Sequence, residues 1–455
     1  MQAAESMPVL KVTFPASHLV YDYYIQGEMT LEDTDGTIIQ LPAKFKTRGA
    51  TALKYTMKPS FNMKLEGEDG IELDTDLLGI RKASSWILDA MAIDRICMRN
   101  RVCFDIWNEF APLPYKTDFD SRNGTKGKFV IVYMNDEYKG IYGLSDKINR
   151  KLLDLKKPKV SDDDEVTYRG VLYKNGTTDI GDQSKVGFYN DYMVYVAAYH
   201  DAWELKEPDD YPSEEAWGPL IDFYENKSAA YVENHFYEDN LIDYSILIMA
   251  LCIQDNWGNK NKYFSVRNWI GDEDDRRFIV TPWDLDASLG GNYNGSYYDG
   301  NYSKWSMSDV AKVASSPFSS CFTVAGKQRL KARWAEVRQT ALSVESVAKR
   351  MYDYCDLFVE SGAWQQYVDY WNAKASRPCY VDDLRHEIDL IVEWYADRFK
   401  QMDEYLGVSD EAGVESIMDD TTKSKIYNLQ GIEIKESSLK PGEIYIQNGK
   451  KMLKH

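Results

Sequence analysis

Residues 240–290 read NLIDYSILIMALCIQDNWGNKNKYFSVRNWIGDEDDRRFIVTPWDLDASLG, and they decide how the rest of the chain is read. Leu241 to Cys252 carries Leu241, Ile242, Ile246, Leu247, Ile248, Met249 and Leu251, leaving almost no polar face. A helix apolar all round belongs in a core, and Asn240 is placed to cap its N-terminus. The run breaks into Gln254-Asp255-Asn256-Trp257-Gly258-Asn259-Lys260-Asn261, a polar loop on a rigid support, where functional residues are commonly carried. Lys262 to Val266 reads as a strand, Asp272 to Asp275 as a solvated turn, and Phe278 to Val280 as a second strand ending in Pro282-Trp283-Asp284-Leu285-Asp286.

If the two strands pair as a hairpin, Asp255 and Asn261 open at the same end as Asp284 and Asp286. Carboxylates and an amide converging there suit Mg2+, a hard cation with oxygen ligands. Protein kinases use the same succession of helix, catalytic loop, hairpin and metal-binding Asp. The same residues also suit plain turn capping through bonds to local backbone.

The 455 residues can bury a large core and suggest two to three domains or lobes. A formal charge of −19 argues against nucleic acid as the main partner, because phosphate binding needs a basic surface. The six cysteines show no CxxC and no zinc spacing; Cys355 and Cys379 are one conceivable bridge between helices. No apolar run is long enough to span a membrane. The start, Met1 to Ser6, looks like what remains after removal of a signal peptide, and the expected location is exported, periplasmic or cell-surface.

Residues 8–66 read as β-structure, with Asp35-Gly36 as a hairpin signal and Phe61 to Leu65 alternating so that Asn62 and Lys64 share a face. Asp94 is a good cap for a helix carrying Arg99 and Asn100. Residues 128–148 form a hairpin through Asn135-Asp136-Glu137, followed by Asp146, and Val171 to Lys174 is a short strand. Residues 176–238 look like a polar, partly helical surface insertion. Leu384, Ile388, Ile391, Tyr395 and Met402 form one helical stripe, Gly407 ends it, and residues 426–450 alternate as two or three short strands.

Several segments taken in order resemble the spore coat protein H (CotH) kinase family: Arg48-Gly49-Ala50-Thr51 with Lys58 to Leu65, Trp86 through Asp94 to Arg99-Asn100, Tyr138 to Ile148, Val171 to Lys174, Asp255 to Asn261, and Pro282 to Asp286. The tail resembles C-terminal β-tails of secreted Bacteroidetes proteins. The resemblance implies an α+β, atypical protein-kinase-like two-lobed fold. A β-rich N-terminal lobe would occupy 1–175 and an insertion 176–238. A helical C-terminal lobe would occupy 239–407, and an acidic linker with a β-tail 408–455. It implies Mg-dependent transfer of the ATP γ-phosphoryl group to Ser or Thr of a protein partner. Asp255 would be the catalytic residue, with Asn261, Asp284 and Asp286 at the metal. Lys64, Lys174, Lys58 and Arg48 would contact the nucleotide, and Asp146 would be an acidic partner. Here Ala50-Thr51 replaces the family's Asn-Ser, Asp146 stands where Glu is usual, and a Gly-rich phosphate loop is missing. Two other readings fit the sequence: a catalytically inactive surface binding module or adhesin, and a carbohydrate-active enzyme using paired carboxylates.

Overall fold

The computed structural model describes residues 6–15, 23–49, 58–115, 117, 120–176, 187–190, 193–196, 201–211, 213–256, 260–315, 318, 323–374, 380–409 and four short tail strands. Ala50, Thr51, Trp257 to Asn259, Cys321 and Cys379 lie outside these residues. The architecture is mixed α+β, β-rich in its N-terminal region and helical in its C-terminal part.

The N-terminal region is a closed barrel. Its strands are β1 (Val9–Thr13), β2 (Ile25–Glu32), β3 (Ile38–Arg48), β4 (Ser60–Leu65), β5 (Ser85–Asp89), β6 (Gly127–Met134) and β7 (Glu137–Asp146). They follow the order β1-β2-β3-β4-β5-β7-β6, and β6 returns parallel to β1. Closure leaves no free edge. Side-chain alternation fills the interior: Leu10, Val12, Met29, Phe45, Met63, Trp86, Val132 and Leu144 meet there. Asn62 and Lys64 consequently face outward. The β6–β7 hairpin turns on Asn135 and Asp136 with φ of 48° and 63°, the positive pair a tight two-residue turn requires.

A second sheet joins distant segments: β8 (Val171–Gly176), β9 (Gly187–Asn190), β10 (Met193–Val196), β11 (Asp201–Glu207), β12 (Lys262–Val266) and β13 (Phe278–Pro282). Their order is β9-β10-β11-β8-β12-β13. Every residue of β12 and of β13, the last strand of the sheet, is buried, as expected for strands covered on both faces. The 176–238 segment therefore supplies three strands rather than a surface appendage, and it buries Trp203, Trp217 and Phe223. Phe223, Phe236, Phe264, Phe278 and Phe318 pack with ring centroids 4.9 to 6.3 Å apart.

The helices are α1 (Arg99–Phe110), α2 (Gly218–Asn226), α3 (Ala229–His235), α4 (Glu238–Ala250), α5 (Met307–Ser315), α6 (Val324–Val337), α7 (Val344–Glu360), α8 (Ala363–Asn372) and α9 (Leu384–Leu406). Helix α4 begins earlier than its apolar run suggests, so Asn240 lies inside it instead of capping it. Its buried amide donates to Val280 O (3.1 Å) and accepts from Val280 N (2.7 Å), tying α4 to β13. Asp94 caps α1 from further upstream than expected, accepting from Met98 N and Arg99 N at 2.9 and 2.8 Å. Leu384, Ile388, Ile391, Tyr395 and Met402 are buried along α9, and Gly407 follows at φ 65°. Cys355 is a free buried thiol. No helix among the described residues is long and apolar enough to cross a membrane.

Contacts divide the chain into residues 1–402 and 403–455. In the smaller unit Glu433–Ile434, Ile426–Tyr427, Ile444–Gln447 and Lys450–Leu453 pair in that order as a four-stranded sheet.

Candidate active site

The β12–β13 register sets Lys262 opposite Pro282, so Asn261 and Trp283 are the first residues beyond the paired ends. Trp283 N donates to Asn261 O (3.0 Å). Asn256, fully buried, donates its amide to both Asn261 O (2.9 Å) and Trp283 O (3.2 Å). One side chain thus fastens the polar loop to the acidic turn. Asn261 and Asp284 both take left-handed backbone, at φ 56° and 57°. That conformation is costly for residues other than glycine and tends to persist where surroundings over-determine it, commonly at functional sites. Asn261 donates to Asp255 Oδ2 (3.0 Å) and Asp255 O (3.1 Å), and Lys260 makes an ion pair with the same carboxylate.

The acidic turn is held from the barrel side. Leu285 N donates to Asn100 Oδ1 (3.1 Å), and Asn100 Nδ2 donates to Asp89 Oδ2 (2.8 Å). Asp89 ends β5 and Asn100 opens α1, so the barrel and first helix both position the Asp284–Asp286 segment. Burial pushes the Asp284 carboxyl up to about 6, with repulsion from Asp255 and Asp89 adding and Lys174 and Lys260 opposing. Burial and then Asp284 push the Asp286 carboxyl well above its ordinary range. Among the described residues neither carboxylate has a hydrogen bond or ion pair.

Cations face them. The Arg48 guanidinium lies 5.0 Å and the Lys174 ammonium 5.7 Å from the Trp283 ring centroid, both within reach for cation–π attraction. Burial lowers the Lys174 ammonium to about 8, with Glu204 and Asp284 opposing and Lys206 and Arg48 adding. Burial lowers Lys147 to about 8 as well, reinforced by Lys206, Lys64 and Arg48. Lys147, Lys206 and Lys64 also line a cleft of about 550 Å³ whose apolar contributors include Ile148, Pro158, Val160 and Tyr211. The same cleft carries Glu72, Asp74, Glu207, Asp209 and Asp210, so its lining is of mixed charge, with the cations in slight excess.

Three residues implied by sequence sit elsewhere or have other partners. Lys64 pairs with Glu72 (2.5 Å) on the outer face of β4, at the cleft rim. Lys58 is 1% exposed and donates to Ala90 O, Ile141 O and Tyr367 Oη at 2.6, 2.5 and 2.7 Å, so its ammonium is taken up by buried protein acceptors. Asp146 is buried between Arg81 (3.0 Å) and Arg122 and accepts from Lys126 N (2.9 Å), so its side-chain ion pairs are with arginines rather than with any of the nucleotide-contacting candidates Lys58, Lys64 and Lys174. Sequence reading missed Asp89, Asn256, Lys260, Lys147 and Lys206; the Asp89 and Asn256 roles depend on contacts between segments that no local pattern reveals.

Among the described residues no three carboxylate, imidazole or thiol groups form a ready cation cage. Two recessed carboxylates, raised chiefly by burial and without hydrogen bond or ion pair among the described residues, beside an asparagine, still fit a divalent ion that keeps water and phosphate oxygens as its remaining ligands.

No curated protein matches the chain. A family model described as CotH kinase protein matches residues 45–402, a span that includes both walls of the cleft. The chain belongs to the CotH kinase family.

Proposed function

We propose that this protein transfers the γ-phosphoryl group of ATP to a Ser or Thr hydroxyl of a protein partner, with Mg2+. The observation that carries the reading is that, among the described residues, Asp284 and Asp286 have no hydrogen bond or ion pair, while Lys174 acts on the Asp284 charge and shares the Trp283 ring with Arg48. Phosphoryl transfer needs little covalent chemistry from the protein and depends on positioning and charge neutralisation. Asp284 and Asn261, with Asp286 beside them, would hold Mg2+, whose positive charge offsets that of the phosphates. Lys174 and Arg48 bind phosphate oxygens, and the cleft lined by Ile148, Val160 and Tyr211 takes the base. Asp255, its carboxylate oriented by Asn261, accepts the hydroxyl proton as the oxygen attacks.

Intact mass after incubation with Mg·ATP tests transfer, either to a partner or to the chain itself. Thermal shift tests binding: saturation at a hundred times Kd adds about 2.7 kcal/mol to stability. Asp255→Ala should retain that shift and the fold while losing transfer by at least about a hundredfold. Full activity in this variant overturns the assignment. Nucleotide binding without transfer in the wild type would make the protein a catalytically silent binding module.

A further inference from the structure

The Asp255 loop carries a cation that the reading above does not use. Lys260 pairs with Asp255, and the two side chains are 39% and 25% exposed, so the pair is open to solvent rather than sealed in the core. Lys260 also opposes the rise of the Asp284 carboxyl, which places its charge within electrostatic reach of the acidic turn. Its backbone is anchored. The next residue, Asn261, is left-handed, and its carbonyl accepts from both Trp283 N and Asn256 Nδ2. After that, Lys262 enters a fully buried strand. Arg48 and Lys174 lie instead over the ring of Trp283, the residue before Asp284.

We propose that Lys260 is a catalytic residue that contacts the γ-phosphoryl group during transfer, an inference that rests on the phosphotransfer reading. Before nucleotide binds, Lys260 neutralises Asp255. Once an acceptor hydroxyl donates to Asp255, the flexible ammonium turns to the phosphoryl oxygens. Charge spread over those oxygens is then met from two sides, by Lys260 from the loop and by Lys174 and Arg48 from above. The acceptor oxygen forms its bond to phosphorus, and the bond to the bridging oxygen breaks with its electron pair leaving on ADP. The hydroxyl proton goes to Asp255; Lys260 neither gains nor loses a proton.

The test compares full-length wild type, Lys260→Met and Lys260→Arg. Calorimetry with Mg2+ measures affinity for the β,γ-imido analogue of ATP and for ADP. A γ-phosphoryl contact predicts that Lys260→Met weakens the triphosphate analogue about tenfold while ADP changes less than about twofold. Its kcat should fall about 10² to 10³-fold, with KM for ATP altered far less, and Lys260→Arg should recover at least about a tenth of the lost rate. Equal weakening of both nucleotides, or none, overturns the proposal and leaves Lys260 a structural partner of Asp255. An unchanged kcat in Lys260→Met also overturns it while phosphotransfer stands. A wild type that neither binds Mg·ATP nor transfers phosphate sinks both.

Discussion

Asp284 shows what a recessed acidic residue costs on its own. Its backbone is left-handed, its carboxyl is raised to about 6, and among the described residues nothing bonds to it. Removing the charge should therefore relieve the metal-free fold. Asp284→Asn is expected to gain about 1–2 kcal/mol at pH 7.5 without divalent ions while transfer is lost. Melting in chelator checks this, and a lower transition than wild type would contradict the strain. Glu207 gives a pH signature outside the acidic turn. Burial raises it to about 7, with Asp209 adding and Arg150 N, at 2.8 Å, opposing. Its folded pKa exceeds its unfolded value near 4.5. Between those values the folded chain holds a proton the unfolded chain has lost, so stability falls as pH rises through that window. Half-burial holds the effect to about 1–2 kcal/mol. Urea unfolding at pH 4.5 and pH 8 should show that loss in wild type, and Glu207→Gln should be flatter.

At the scale of elements, the hairpin and its two loops were legible because periodicity and polarity change abruptly at Gln254 and again at Pro282. The register that makes them one site follows from β12 and β13 pairing end to end. The fastening was not legible. Asn256 reads as one polar residue among several, yet it is the buried donor to both Asn261 O and Trp283 O. The Asn240 error has the same cause: an amide in the first turn of α4 bonds β13, a partner forty residues away. Asn256→Ala removes both donated bonds. It should cost about 1–3 kcal/mol and lower kcat at least about tenfold in protein that remains folded at 25 °C, because Asp255 and Asp284 lose their fixed separation. Denaturant midpoints beside initial rates measure the two effects. Equal rates in mutant and wild type would show that the remaining Trp283 N–Asn261 O bond suffices.

Over the whole molecule, alternation disclosed the barrel strands but not the second sheet. There β8 lies between β11 and β12, segments separated by long stretches of chain. Trp203 and Trp217 sit in a stretch whose charged residues disguise a core contribution. Lys58 was misread for a related reason. It follows the RG stretch and looks like a phosphate ligand, but it ties the barrel to the C-terminal helices. Its ammonium joins Ala90 O and Ile141 O to Tyr367 Oη of α8, with the Tyr142 and Tyr367 rings 4.3 and 4.5 Å away. Lys58→Met would leave those buried acceptors short of a donor and should destabilise the fold by about 2–4 kcal/mol. Burial lowers the Lys58 ammonium to about 7 from 10.5, opposed by Cys97 and Asp89. Between those values the unfolded chain binds the extra proton, so this residue makes wild-type stability rise with pH from about 7 to 10.5. Lys58→Met should lack that rise while Mg·ATP affinity per folded molecule stays unchanged. Unfolding curves at pH 7 and pH 9.5, with nucleotide titrations at low temperature, separate the two roles. A selective loss of nucleotide affinity with unaltered stability would return Lys58 to the phosphate site.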